Sequence, residues 1–271
     1  MNAIIADSSS PATPLLARTQ VGAVLHLTLN RPQQYNALSE EMLAALRQAL
    51  ADIAGDASVR VLVLGAAGKA FCAGHDLRQI RSNPRPDYYR WLFAECAQLM
   101  GQIRALPQPV IARVHGIATA GGCQLVASCD LAVAATSARF ATSGINIGLF
   151  CATPAVPLTR NVGQKPAFEM LFTGDFIDAD IARERGLVNR VVPLERLDEE
   201  IGLLANSILA KPAHVVAAGK ELFYRQQEMG IDAAYQLAVQ AMACNLLEPV
   251  AQEGIDAFLG KRKPNWAASN Q

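Results

Sequence analysis

Two glycine-bearing segments are the places where this sequence offers chemistry. The first, "GAAGKAFCAGHDL" (65–77), follows a short apolar run and carries Gly74 just before His75. The second, "ATAGGCQLVASCD" (118–130), places Gly121 where a helix-forming stretch begins. Glycine lets the backbone approach a ligand closely, and the first N–H groups of a helix have no partner within it. The main-chain N–H groups of His75 and Gly121 are therefore candidate donors to one negatively charged oxygen, forming an oxyanion hole.

The local pattern leaves a simpler interpretation open for both segments. Glycine-rich loops are common, and each segment fits an ordinary tight turn. Neither contains the glycine fingerprint of a dinucleotide site or of a P-loop, so NAD and ATP are not expected and no cofactor is predicted. His26, His115 and His214 stand isolated in apolar contexts without the spacing of metal ligands, so no metal site is predicted.

Composition and charge limit the classes of partner. The chain has 271 residues, of which 51% are hydrophobic and 18% charged, enough for one large core or for a core with a helical appendage. Its 24 basic and 24 acidic residues give a formal net charge of zero. This balance argues against a nucleic-acid-binding surface, although a polyanionic small ligand needs only a local basic patch.

Cysteine usage and the N-terminal segment predict a cytoplasmic protein. The six cysteines form no C-x-x-C pair and stand mostly in apolar runs, as expected of reduced thiols that pack as small hydrophobic groups. No basic residue precedes Arg18, so neither a secretory signal nor a mitochondrial presequence is predicted. No apolar stretch reaches the length of a transmembrane helix, and no membrane partner is expected.

Short apolar strands alternate with helices over the first two thirds of the chain. Ser39 is a candidate cap for a helix whose first turn carries Glu40 and Glu41. Uniformly apolar strands of this kind indicate a sheet that is covered on its faces. The predicted strands lie at 24–30, 60–66, 109–116, 130–136 and 138–142.

The strand signals stop after "LVNRVVP" (187–193), and the chain continues as helix after helix. We therefore divide it into a flexible polar tail (1–18), an α/β core that carries the site (19–195) and a helical region (196–271). A mostly apolar helical region cannot bury itself alone, so it should pack on the core, on another subunit or on both.

Five motifs, in order and with matching spacing, resemble the crotonase superfamily, that is, the enoyl-CoA hydratase/isomerase family. They are "LNRPQQYNALS", "AFCAGHDL", "HGIATAGGCQLVASCDLAVA", "GLVNRVVP" and "EGIDAFLGKRKPNW". The resemblance implies an α/β crotonase (ClpP-like) spiral of ββα units with a C-terminal helical trimerisation region. It implies self-association as a homotrimer or as a dimer of trimers. It also implies an acyl-CoA thioester, as substrate or ligand, whose carbonyl oxygen lies between two main-chain amides that fall at His75 and Gly121.

The same resemblance implies a wider set of binding residues. Around the thioester it points to Ala37, Ala73, Gly74, His75, Asp76, Leu77 and Gly121. The phosphates of coenzyme A need cations, for which Arg31, Arg78 and Lys261 are candidates. For each of these three side chains, the alternative is a solvated surface charge.

The sequence departs from the hydratases at both catalytic positions. Where these enzymes carry a glutamate two residues past the second glycine, this chain has Gln124, and where a second glutamate follows twenty residues later it has Gly144. Neither residue takes up a proton near neutral pH, and general acid–base catalysis typically contributes about a hundred- to ten-thousand-fold. Ordinary hydratase activity is therefore expected to be weak or absent. Restoring glutamate at both positions is expected to raise it if the site is otherwise intact.

The sequence is compatible with several functions. An acyl-CoA enzyme that stabilises an enolate need not use two glutamates: a malonyl-type thioester can lose CO₂ without a base, and Gln124 can orient water in a thioesterase. A non-catalytic acyl-CoA-binding or scaffold protein is the alternative. The acid position of the isomerases is Ala152, and the neighbouring Cys151 needs a base to act, so core packing is its favoured role. His75 is a weaker candidate base, because its expected role uses only its main-chain N–H.

Overall fold

The structure, a computed structural model, describes residues 14–266. Ten strands lie in this part of the chain: β1 (Leu16–Val21), β2 (Val24–Leu29), β3 (Val61–Ala66), β4 (Ala70–Cys72), β5 (Val110–Val114), β6 (Ile117–Thr119), β7 (Leu131–Ala135), β8 (Arg139–Ala141), β9 (Ile177–Asp178) and β10 (Arg190–Val192). The α-helices are α1 (Glu40–Ala54), α2 (Leu77–Ser82), α3 (Pro86–Ala105), α4 (Gly121–Ser128), α5 (Ala152–Asn161), α6 (Gln164–Thr173), α7 (Ala179–Glu184), α8 (Leu197–Leu209), α9 (Ala213–Gln226), α10 (Ile231–Leu246) and α11 (Pro249–Leu259).

The strands form two sheets that the chain visits in turn. The larger sheet has the order β1-β2-β3-β5-β7-β10, and the smaller has the order β4-β6-β8-β9. Strands β3, β5 and β7 are parallel to one another, as are β4, β6 and β8. The pairs β3–β4, β5–β6 and β7–β8 each add one strand to each sheet and are each followed by a helix, which is the spiral of ββα units that the resemblance implied.

The core follows the apolar pattern of the sequence. Every residue of β3 is buried, and the predicted strands 60–66 and 109–116 are observed as β3 and β5. Helix α1 begins as predicted, because the Ser39 side chain accepts a hydrogen bond from the Met42 N–H at 3.3 Å. Its buried residues, among them Leu43 and Leu46, belong to the same hydrophobic core as Leu62 and Leu64 of β3.

The N-terminal segment needs a correction. Residues 1–13 of the predicted tail lie outside the described residues, but residues 16–18 belong to strand β1. Strand β1 pairs with β2 from Leu16 opposite Leu29 to Val21 opposite Val24. The polar composition before this strand suggested a tail, whereas its backbone hydrogen bonds to β2 make it an edge strand.

The boundary near residue 195 marks the end of the strands, but the helical region on one side of it packs against the core on the other. Helix α8, the first of the helical region, buries Leu197, Ile201 and Ala205 against the larger sheet. Their partners there include Val63 and Ile111. One helix of the predicted oligomerisation region therefore covers the second face of the core, as the uniformly apolar strands require.

A buried ion pair ties helix α9 to the core. The Lys220 ammonium donates to Asp130 Oδ2 at 2.6 Å and to the carbonyl oxygens of Ile103 and Gln108 at 2.9 and 3.0 Å. The Tyr224 hydroxyl donates to the other carboxylate oxygen of Asp130 at 2.7 Å. Burial lowers the pKa of Lys220, and its contact with Asp130 opposes that shift.

Five of the six cysteines are buried, and Cys244 is exposed. Burial raises the pKa of Cys72, Cys96 and Cys123 to about 12, so these thiols pack as neutral apolar groups. Between residues 14 and 266, no single helix is long and apolar enough to cross a membrane. The segments Leu194–Leu209 and Ala213–Gln226, bent by 102° relative to each other, reach that length and composition only together.

Candidate active site

Three neighbouring parallel strands bring the candidate residues to one edge of the smaller sheet. Strand β4 pairs with β6 up to Cys72 opposite Ala118, and β6 pairs with β8 up to Thr119 opposite Ala141. The segments that follow these strands carry His75, Gly121 and Gly144, respectively. Because parallel strands end on the same side, residues far apart in the sequence meet there.

The main-chain N–H of His75 is unpaired. Leu38 forms a parallel bridge with His75, in which the Leu38 N–H donates to the Gly74 carbonyl at 2.8 Å and the Leu38 carbonyl accepts from the Asp76 N–H at 3.3 Å. This bridge uses the groups on either side of His75, so the His75 N–H points to the opposite side. Within residues 14–266 it has no hydrogen-bond acceptor.

The main-chain N–H of Gly121 is unpaired as well, because Gly121 is the first residue of α4. Ala120, just before it, has φ 49° and ψ −117°, a conformation that costs a residue with a side chain on the order of 1–3 kcal/mol. Two hydrogen bonds of 3.0 Å hold it there, from the Ala120 N–H to Ala141 and from the Gln124 N–H to Ala120. The strained turn thus fixes the direction of the Gly121 N–H.

The two loops are in direct contact, and the contact requires a glycine. Gly74 has φ +90°, and a Cβ on it would lie 3.0 Å from the Gly121 nitrogen and 3.2 Å from the Thr119 carbonyl oxygen. Both the backbone conformation and the tight space disfavour a residue with a side chain at this position. Gly74 therefore sets how closely the His75 loop approaches the start of α4.

Both loops open on a cavity of about 400 Å³, here called the first cavity. Of the residues predicted for the site, Ala73, His75, Leu77, Gly121 and Gly144 line it. Its apolar wall includes Ile80, Phe93, Leu149, Phe150 and Pro154, and its polar side chains are those of His75, Ser143, Cys151 and Thr153. The first cavity is thus a mostly apolar space, lined by two residues with unpaired main-chain N–H groups and without a carboxylate in its wall, which suits an apolar group attached to a polarised carbonyl.

The His75 imidazole is neutral at physiological pH. Its ring meets the Phe93 ring edge to face, with the centroids 5.3 Å apart and the planes at 87°. Both ring nitrogens are buried, and neither has a hydrogen-bond partner among the described residues. Burial lowers the pKa of His75 to about 4, although the nearby Leu38 backbone opposes part of the shift. The Asp76 carboxylate accepts hydrogen bonds from the first N–H groups of α2 instead of contacting the imidazole.

The buried imidazole predicts a pH dependence of folding stability. Between the unfolded pKa of 6.5 and the folded pKa of about 4, the unfolded chain binds the extra proton, so stability falls as the pH is lowered through this window. The shift corresponds to about 3 kcal/mol. Urea unfolding at pH 6.5 and pH 4 should show a loss larger by about this amount in the wild type than in His75→Leu. Equal losses of unfolding free energy in the two proteins would contradict the lowered pKa of His75.

Gly144 is packed too tightly to be exchanged freely. A Cβ there would lie 2.5 Å from the Leu149 carbonyl oxygen and 2.8 Å from the Cys151 sulfur. Burial raises the pKa of the Cys151 thiol, so this group is neutral at pH 7. The loop therefore fills the space that a side chain at position 144 needs. This corrects the expectation from the sequence, because a glutamate placed there would not leave the site otherwise intact.

Introducing a glutamate at position 144 is accordingly expected to destabilise the protein. Gly144→Glu should lower the free energy of unfolding by about 1–3 kcal/mol, because the loop at Leu149 must shift. The double variant Gln124→Glu/Gly144→Glu should remain poor at hydrating crotonyl-CoA. Gly202→Glu is a matched control, since a Cβ there meets no atom within 4 Å. Hydratase activity well above wild type in a stably folded double variant would show that the loop accommodates the side chain.

Comparison with known proteins identifies the family. The family model described as enoyl-CoA hydratase/isomerase matches residues 19–269. The chain belongs to the enoyl-CoA hydratase/isomerase family. A crystal structure of an enoyl-CoA hydratase from Mycobacterium smegmatis is 59% identical, with a TM-score of 0.93 over 94% of this chain and 100% of that one. The crystal structure of human enoyl-CoA hydratase domain-containing protein 3 is 43% identical, with a TM-score of 0.90 over 93% and 100% of the two chains. The crotonase fold that the sequence motifs implied is thereby confirmed.

The prediction of a cytoplasmic location is wrong. The relative from Xenopus laevis, 46% identical over 95% of this chain and 87% of its own length, is named enoyl-CoA hydratase domain-containing protein 3, mitochondrial. The human relative, 44% identical over 95% of this chain and 85% of its own length, carries the same name. The names of these relatives place them in mitochondria. Reduced cysteines and the lack of a basic residue before Arg18 do not distinguish a mitochondrial protein from a cytoplasmic one.

Gln124 lies beside the first cavity and not in its wall. It is only 3% exposed, so the alternative of a solvent-facing residue does not apply. It does not line the first cavity. It lines a neighbouring cavity, where its Oε1 accepts a weak hydrogen bond from the Cys96 thiol at 3.8 Å. The sequence position of Gln124 within the family motif gave no sign of this orientation.

The candidate cations do not line the first cavity. Arg31 pairs with Asp76 at 3.6 Å, and its Nη1 is buried without a partner among the described residues. Arg78 is exposed at the start of α2, and Lys261 is exposed beyond the end of α11. Ala37 is buried at 8% exposure and also lies outside the cavity wall. For Arg31, Arg78, Ala37 and Lys261, a role in coenzyme A binding stays a prediction.

Sequence reasoning missed the apolar wall of the site. Ile80 and Phe93 come from helices α2 and α3, and Leu149 and Phe150 come from the loop after β8. Their sequence context is that of ordinary core or surface residues, so no local signal marked them. No group of three or more His, Cys, Asp or Glu side chains in residues 14–266 is arranged to hold a metal ion.

Proposed function

We propose that this protein binds an acyl-CoA thioester with its carbonyl oxygen between the main-chain N–H groups of His75 and Gly121. One observation carries the proposal: both N–H groups are unpaired, and both residues line the same apolar cavity. Removing a proton from Cα, adding water at Cβ or losing a carboxylate from Cα all place negative charge on the thioester oxygen. Two N–H donors that are already fixed in position stabilise that enolate without the cost of reorganising solvent.

The wall of the first cavity favours a reaction that needs no carboxylate base. Its titratable side chains are those of His75 and Cys151, and both are neutral at pH 7. Neutral His75 is a weak base here, because its pKa lies near 4. Ordinary hydration of an enoyl-CoA is therefore slow in this proposal. Decarboxylation is the enzymatic reaction that fits this wall best, because the departing CO₂ leaves the enolate behind and no base is needed.

A non-catalytic acyl-CoA-binding protein is the second candidate. The absence of a charged acid or base from the cavity wall supports it, because thioester binding needs only the N–H groups and the apolar wall. The strained Ala120 and the tightly packed Gly74 favour the enzyme instead. Strain of this kind persists where surrounding structure enforces a functional geometry.

We also propose self-association, as a homotrimer or a dimer of trimers. Helix α10 exposes five large apolar side chains at intervals of three or four residues, which places them on one face: Ile231, Tyr235, Val239, Met242 and Leu246. In helix α11, Phe258 and Leu259 are 84% and 73% exposed. Contiguous apolar surface of this kind marks a protein interface. Light scattering should give a mass of three or six chains, and Met242→Glu should lower it.

A substrate screen tests the proposed function. The purified protein is incubated with crotonyl-CoA and with malonyl-, enoyl- and saturated acyl-CoA esters, and consumption is followed by mass spectrometry. Conversion of a thioester other than crotonyl-CoA, with crotonyl-CoA nearly unchanged, is the expected result. Binding of every ester without conversion would favour the non-catalytic candidate. Rapid hydration of crotonyl-CoA, or no binding of any ester, would contradict the proposal.

A further inference from the structure

A second cavity lies beside the first. It has a volume of about 290 Å³ and is lined by residues of α3, α4, α5 and α9, among them Gln124 and Arg160. Thr153 lines both cavities, so they adjoin at this residue. At about 30 Å³ for each water-sized group, the second cavity holds roughly ten non-hydrogen atoms. A space of this size suits a small molecule or one end of a longer one.

The Gln124 amide supplies an unused donor to the second cavity. The side chain is 97% buried, and its Oε1 accepts from the Cys96 thiol. Its Nε2 donates to no acceptor within the described part of the chain. It is not one of the fully enclosed unpaired atoms of the described residues, so it is accessible from the cavity, where a ligand with an acceptor oxygen can take its hydrogen bond.

The rim of the second cavity carries positive charge that the protein leaves uncompensated. The Arg160 guanidinium donates to the Val156 carbonyl at 3.0 Å and, among the described residues, has no carboxylate partner. Arg104 is paired with Glu228 at 3.2 Å and lies over the Tyr224 ring. The one carboxylate in the wall, Asp130, is neutralised by Lys220 at 2.6 Å. An anion that enters this cavity therefore meets a donor and an unpaired cation.

Apolar side chains form another part of this wall and narrow the class of ligand. Met100, Val156, Pro157 and Phe223 line the space beside Gln124. A highly hydrated ion such as phosphate gains nothing from these side chains, whereas a short hydrocarbon chain does. A ligand that matches the donor, the cation and these apolar side chains has a short apolar chain that ends in a carboxylate.

We propose that the second cavity is a binding site for such a carboxylate, with Gln124 Nε2 as the donor and Arg160 as the cation. Two sources share this chemistry. One is a free short-chain carboxylate. The other is the far end of an acyl group whose thioester occupies the first cavity and whose chain passes Thr153, and this source rests on the function proposed above. A dicarboxylic acid bound as its mono-CoA ester would then span both cavities.

Calorimetric titration with three ligands separates the sources. The ligands are hexanoate, hexanoyl-CoA and adipoyl-CoA, which differs from hexanoyl-CoA in carrying a carboxylate at its far end. Tighter binding of adipoyl-CoA than of hexanoyl-CoA, by about tenfold or more, is expected if the acyl group supplies the carboxylate, because a hydrogen bond to a charged group contributes about 1.5–3 kcal/mol. Binding of hexanoate with no preference between the two esters assigns the site to a free carboxylate.

Two variants and a control locate the binding. Gln124→Leu and Arg160→Gln should each remove most of the gain, whereas Arg85→Gln, which changes an exposed arginine at the start of α3, should not. Thermal unfolding reports whether Gln124→Leu is folded. If this variant does not fold, the surface variant Arg160→Gln alone shows whether the carboxylate binds in the second cavity.

Equal affinity for the two esters together with no binding of hexanoate would overturn this proposal and leave the proposed function standing. Binding of hexanoate without binding of either ester would support the carboxylate site and contradict the proposed function. A carboxylate preference that survives both substitutions would also overturn the assignment to the second cavity.

Discussion

Replacing Gly74 with alanine is expected to lower the rate of acyl-CoA conversion by about a hundred- to a thousand-fold, the usual cost of losing one oxyanion donor. Alanine disfavours φ +90°, and its Cβ would lie 3.0 Å from the Gly121 nitrogen. The His75 loop must then move away from α4, so that the two N–H groups no longer reach the same oxygen. The measurement is kcat/KM for the thioester that the substrate screen identifies.

Gly55→Ala is the matched control for this substitution. Gly55 ends helix α1 with φ −92°, and a Cβ there meets no atom within 4 Å. The control should retain wild-type kcat/KM. If Gly74→Ala also converts the substrate within a few-fold of wild type while folded, the His75 N–H does not contribute to the reaction and the proposed oxyanion hole fails.

Replacing Lys220 with alanine is expected to lower the free energy of unfolding by about 3–5 kcal/mol, the usual result of removing one partner of a buried ion pair. The substitution leaves the Asp130 carboxylate without its cation and leaves the carbonyl oxygens of Ile103 and Gln108 without their donor. It also loosens α9 from the core. Urea unfolding of the two proteins at pH 7 provides the comparison.

Lys165→Ala provides the control for charge removal, because Lys165 is exposed on α6. Surface substitutions of this kind usually change stability by less than about 0.5 kcal/mol. A loss for Lys220→Ala no larger than that of the control would mean that the network around Asp130 contributes nothing net to folding.

The fold was predictable where the sequence pattern is long, and less so where strands are short. The apolar runs at 60–66 and 109–116 identified β3 and β5, and Ser39 marked the start of α1. Strands β4 and β6 have three residues each, too few for a periodic signal. These two strands deliver His75 and Gly121 to the same edge. The local pattern therefore left ordinary tight turns open for both loops, and the family resemblance favoured their convergence.

The candidate site was predictable from its backbone groups and not from its side chains. The N–H groups of His75 and Gly121 depend on glycine positions and on a helix start, both of which are local features of the sequence. The orientation of Gln124 depends on Cys96, and the space at Gly144 depends on Leu149. Contacts of this kind are set by tertiary packing, which a motif does not encode.

A crystal structure with a bound, non-reactive acyl-CoA analogue tests the central claim most directly. If the two N–H groups form an oxyanion hole, the thioester oxygen lies about 2.7–3.2 Å from the main-chain nitrogens of both His75 and Gly121, with the acyl chain in the first cavity. A thioester oxygen that contacts only one of these nitrogens, or neither, would contradict it.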